Sequence, residues 1–173
     1  MKKLITLSLT IFLLTSCGVS IKSVVDNSSI KEPYKNPLIV IPYEKYSTRN
    51  FSEKLKEKLE IEFNNNNKKV EFLLVEQGRE KLALNQNDDV NSKIDNAVRT
   101  DQKDIVLIFK PTNLSYYNGG LQSATYQLTG IDVITKKEVW KATFNSNSSF
   151  GPALFAEKSA KTIFEKLKTD KVL

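Results

Sequence analysis

The chain has one cysteine, Cys17, and its position limits how everything after it can fold. Met1-Lys2-Lys3 is a short positive start, and no acidic residue precedes Asp26. Leu4 to Leu14 follows as an apolar stretch diluted only by Thr6, Ser8 and Thr10. Crossing a hydrocarbon core takes about 20 apolar residues, so this stretch suits the central region of a secretory signal instead. An exported chain with a single cysteine forms no internal disulfide. The domain must therefore be held by an ordinary hydrophobic core.

Leu14-Thr15-Ser16-Cys17 resembles the lipobox of bacterial lipoproteins, a branched apolar residue and two small residues before cysteine. The resemblance implies cleavage after residue 16 and a diacylglycerol on the thiol of Cys17. It also implies that Gly18, where an Asp would favour retention in the inner membrane, directs the chain to the outer membrane, facing the periplasm. Residues 1–16 are then the signal, and loss of Lys2 and Lys3 lowers the formal charge from +6 to +4. That mild charge and the exported compartment exclude nucleic acid as a partner and leave the membrane as the first one. Residues 17–36 mix Ser, Asn, Asp, Lys and Pro33 without a sustained period, which predicts a lipidated tether with a reach of roughly 25 Å. Residues 37–173 are expected to form one α/β domain.

Within that domain, Leu38-Ile39-Val40-Ile41 has the continuous apolarity of a strand buried on both faces, ended by Pro42. Asn50-Phe51-Ser52-Glu53 matches a capping box, and Phe51, Leu55, Leu59 and Phe63 make the stripe of an amphipathic helix behind it. Val70 to Val75 reads as a strand. Gly78 to Asn87 reads as a short helical turn, and Val90, Ile94, Ala97 and Val98 have helical spacing. Ile105 to Phe109 predicts a central strand. After Pro111 the period becomes two, with Gly130 marking a bulge where the apolar parity shifts. A turn at Thr135-Lys136-Lys137 leads to a strand carrying Trp140, Ala142 and Phe144. Pro152 opens a last helix that buries Ala156, Ala160, Ile163, Phe164 and Leu167. The order β-α-β-α-β-β-β-α predicts an α+β fold, a mixed sheet with helices packed against it.

Ile131-Asp132-Val133-Ile134-Thr135-Lys136-Lys137-Glu138-Val139-Trp140 resembles the signature hairpin of the TolB amino-terminal / CsgG / LpoB / PelC-like group of envelope proteins. The likeness extends over about residues 37–168 as a pattern of elements. It implies a part that binds an envelope protein or assembles as a homo-oligomer, with no enzymatic activity shared across the group. In the hairpin, Asp132 can accept bonds from turn amides and Trp140 can fill a small core, both structural roles. Members of the group commonly have Gly where this chain has Lys136 and Lys137, so one lysine is expected to take a positive φ.

The missing chemistry points the same way. There is no histidine, and acylation would consume the only thiol, which removes the usual general base, thiol nucleophile and soft metal ligands. Asp88, Asp89 and Asp95 lack the alternating oxygens and central Gly of a calcium loop. No catalytic residue, metal or cofactor is expected. Ser115-Tyr116-Tyr117-Asn118-Gly119-Gly120 places two tyrosines beside a flexible turn, so Tyr116, Tyr117 and Asn118 are the candidate contact loop. The expected function is a non-catalytic outer-membrane lipoprotein serving a secretion, export or synthesis assembly. The alternative is a glycan- or lipid-binding accessory of a transporter, which would need a concave pocket with aromatic walls.

Overall fold

Seven residues, Pro37–Tyr43, form the strand around which the rest is arranged, β2, and six of them are buried. The computed structural model describes residues 18–77, 86–117, 120–147 and 152–173. Besides β2, the strands are β1 (Gly18–Val25), β3 (Glu71–Glu76), β4 (Ile105–Tyr117), β5 (Gly120–Asp132) and β6 (Glu138–Asn147). The helices are α1 (Arg49–Asn65), α2 (Gln86–Thr100) and α3 (Pro152–Thr169). One six-stranded mixed sheet has the order β1-β6-β5-β4-β2-β3. β2 pairs in parallel with β3 and β4, while β4, β5, β6 and β1 pair antiparallel in turn.

Alternation along β2 and β4 divides the core in two. Ile39, Ile41, Ile105, Leu107 and Phe109 face α1 and α3, together with the predicted stripe Phe51, Leu55, Leu59 and Phe63. Leu38, Val40 and Val106 face the other way, against Ile94, Ala97 and Val98 of α2. The chain steps outward from β2 to β3 through α1 and back across β2 to β4 through α2. Two crossovers in opposite directions stay right-handed only if their helices lie on opposite faces, as they do.

Residues 18–36 correct the expected tether. Gly18–Val25 is an edge strand in register with β6, from Gly18 opposite Asn147 to Val25 opposite Trp140. Val19, Ile21 and Val25 lie on the inward face with Ser23 and pack on the core, while Ser20, Lys22 and Val24 face outward. Beyond it the chain is pinned: the Tyr34 amide donates to Val172 at 2.9 Å and its hydroxyl to Asp132 at 2.8 Å. The amides of Lys35 and Asn36 donate to the Asp104 carboxylate at 2.6 and 3.0 Å. The full order thus gains a first strand.

The start of α1 also differs from expectation. It begins at Arg49 behind Thr48, and no side chain caps it. The Thr48 hydroxyl accepts the Glu44 amide at 2.8 Å, and Glu53 pairs with Arg49 at 2.8 Å instead of closing a capping box. Pro111 does not end β4, because it sits where the β4–β5 register shifts and tolerates a proline. Gly130 does mark an irregularity, a register shift against β6. Its reason is close approach: a Cβ there would lie 3.2 Å from Ile105 Cδ1, Leu107 Cδ2 and Trp140 Cβ. Lys136 takes a φ of 59° in the following turn.

Candidate functional site

Strand direction decides which loops share an end of the sheet. β2, β3 and β4 run one way, as does β6, while β1 and β5 run back. The start of β1 therefore lies at the same end as the β4–β5 hairpin, the end of β6 and the loop from β2 to α1. One register row makes this concrete: Gly18 opposes Asn147, Asn147 opposes Ser123, and Ser123 opposes Ser115.

The predicted contact residues project from that row. Tyr116 and Tyr117 are not in a loop but continue β4, opposite Leu121 and Gly120. Their side chains remain 42% and 67% exposed, too open for core residues. Asn118 and Cys17 lie outside the described residues, as does the turn expected over Gly78 to Asn87 except for its last two residues, which open α2. The sequence reading overlooked Tyr46, in the β2–α1 loop at the same end, which is 84% exposed. The Lys45 ammonium stands 5.7 Å from its ring centroid, a weak cation–π contact in the open. Signal for Tyr46 existed: it follows the carboxyl end of a parallel strand, where sheets of this type gather ligand contacts. Behind these residues Tyr126 is buried against Phe51 and Phe144, and burial raises its hydroxyl pKa above the ordinary tyrosine range.

At the opposite end Ile134 is exposed in the β5–β6 turn, but the residues around it are anchored. Asp132 accepts the Thr135 amide at 2.6 Å and the Thr135 hydroxyl at 2.8 Å, the turn role expected of it. Burial would raise its pKa, but these bonds and that from Tyr34 outweigh it and lower the value. Trp140 is buried and donates its indole N–H to Asp170 at 2.8 Å. A hollow of about 730 Å³ lies near this end, lined by Asn36, Asn64, Lys68, Lys69, Glu71 and Lys103 among others, with no aromatic wall. Lys103 is nearly enclosed there, bonded to Glu71 at 2.8 Å and Asn36 at 3.2 Å. Among the described residues no cluster of His, Cys, Asp and Glu could hold a metal.

These features describe a small α+β domain with a bare, tyrosine-bearing end, and the PelC structures found by comparison agree with it in fold. No family model and no curated protein matches the chain. Among solved structures it is similar to the PelC dodecamer from Paraburkholderia phytofirmans, with 12% identity and a TM-score of 0.53 over 90% of this chain and 99% of that one. A point-substituted form of the same dodecamer matches at 11% identity and a TM-score of 0.54, over 89% and 99%. Lipoprotein GNA1162 from Neisseria meningitidis gives 12% identity and a TM-score of 0.42 over 78% and 98%. At such identities the likeness to PelC is one of fold.

Proposed function

We propose that the chain is a non-catalytic lipoprotein of the outer membrane, held by acylated Cys17, which works as an assembly or partner-binding part of an envelope secretion, export or synthesis system. The observation that carries the reading is the position of Cys17, the sole cysteine, at the end of a signal-like segment and one residue before β1. The PelC-like fold supports it, since those relatives in fold are dodecamers and self-assembly is natural for such a domain. The absence of histidine supports a role without catalysis. Glycan capture through aromatic stacking gains nothing from the polar hollow near Lys103.

Two measurements test this. Labelled palmitate should enter the full chain expressed with its own leader and should be absent from Cys17→Ser. Native mass spectrometry of the detergent-extracted protein should show an oligomer, and crosslinking in cells should capture an envelope protein. A monomer at high concentration with no crosslinked envelope partner would overturn the assembly role.

A further inference from the structure

We propose that the sheet end bearing Tyr46, Tyr116 and Tyr117 rests on the bilayer, with these rings at the level of the lipid headgroups. The inference rests on the acylation of Cys17 and goes beyond it, because an anchor alone does not orient a domain. The chain has six tyrosines. Tyr34 and Tyr126 are buried, and Tyr43 is half-buried with its hydroxyl toward Glu76 at this same end. The remaining three are the exposed ones, and all lie at the end where the chain emerges toward residue 17. Tyrosine is the residue type that concentrates at membrane–water interfaces, its ring in the apolar edge and its hydroxyl in water.

The geometry fits the thickness of that layer. Gly18 is already paired in the sheet, so the leash between the lipid and the fold is a single residue, about 4 Å. A domain so tethered cannot stand away from the surface. Tyr117 lies two residues beyond the row that joins Gly18 to Ser115, about 7 Å further along the strand direction. The polar layer on each side of a bilayer is about 5–8 Å deep. β4 is three strand spacings from β1, about 14 Å, so the lipid and the tyrosine hairpin are separate points of support. The three described helices also begin at this end, which turns the positive ends of their dipoles toward lipid phosphates. Lys45 and Arg49 are outnumbered there by Glu44, Glu53 and Glu76, so the contact is interfacial and not coulombic.

The test uses the full chain, matured in bacteria and reconstituted into phosphatidylethanolamine–phosphatidylglycerol vesicles. With Cys17 acylated, Ser115→Cys provides a single free thiol for a fluorescent probe, and Ile134→Cys provides a control at the far end of the sheet. Lipids spin-labelled near the headgroup should quench the probe at 115 and leave that at 134 unquenched. Adding Tyr46→Ser, Tyr116→Ser and Tyr117→Ser should reduce quenching at 115 well below that of the parent, with acyl mass and circular dichroism unchanged. Equal, weak quenching at both sites on acylated protein would overturn the orientation while leaving the lipoprotein reading intact. Strong quenching that survives the serine substitutions would overturn the role of the tyrosines. A mature protein whose mass shows no acyl chain would overturn both.

Discussion

Replacing Asp170 with alanine tests whether the far end of the sheet is fastened as the geometry implies. Asp170 Oδ2 accepts the Trp140 indole N–H and Oδ1 accepts Lys166 Nζ, both at 2.8 Å. Trp140 is only 1% exposed, so Asp170→Ala leaves its N–H buried without a partner, which costs about 1–3 kcal/mol. The Lys166 ion pair, with its lysine partly in solvent, adds under about 1 kcal/mol. The expected loss is therefore about 1–4 kcal/mol at neutral pH. Burial alone would raise the Asp170 pKa, but bonds from Lys166, Ser23 and Trp140 outweigh it and lower the value below 3.8. A carboxylate with a depressed folded pKa stabilises above its unfolded value, and that stability fades as pH falls through the folded one. Parent and variant should thus differ by a constant amount from pH 7 to about pH 5 and converge at more acid pH. Urea unfolding followed by the emission of Trp140, the only tryptophan, measures this directly. A difference below about 0.5 kcal/mol at pH 7, or one that persists unchanged in acid, would refute the reasoning.

Three smaller changes probe the hairpin and the core. Gly130→Ala should destabilise by about 1 kcal/mol in urea unfolding, because its methyl would meet Trp140 Cβ and the end methyls of Ile105 and Leu107 at 3.2 Å in a filled core. Lys136→Gly should raise stability by up to about 1 kcal/mol in the same assay, as relief of the left-handed backbone exceeds the added chain entropy. The Tyr126 hydroxyl is buried without a hydrogen bond of good geometry, so Tyr126→Phe should be neutral or stabilising. A clear loss of thermal stability would show instead that the neighbouring Ser52 hydroxyl bonds to it.

Local pattern carried most of this fold. β2, the Phe51–Phe63 stripe and the buried side of α3 are legible because their burial follows from spacing within one element. The shift at Gly130 was readable because bulge chemistry is equally local, while a positive φ at Lys136 or Lys137 was expected from the resemblance and falls on Lys136. β1 was hidden for the opposite reason. Its alternation of Val19, Ile21 and Val25 is brief, it is diluted by Ser20, Lys22 and Ser23, and its partner β6 lies more than a hundred residues away. The displaced start of α1 depended on a Thr48 hydroxyl already taken by Glu44. Tyr116 and Tyr117 could be singled out from the sequence, but their grouping with Tyr46 and the start of β1 needed strand directions.

The pairing of β1 with β6 also sets how the protein would bear a load. Its eight register pairs run from Gly18 to Val25, and the membrane attachment proposed at Cys17 would lie just beyond Gly18. Tension on the anchor, directed along the strand and away from the domain, would shear the whole ladder at once, because the pulled end and the retained body lie on opposite sides of it. Peeling would need a sideways pull that opened one pair at a time. A domain seated end-on against a membrane meets the first kind of force when its partner is drawn away from the bilayer. The edge strand is then a grip whose strength sums over its length.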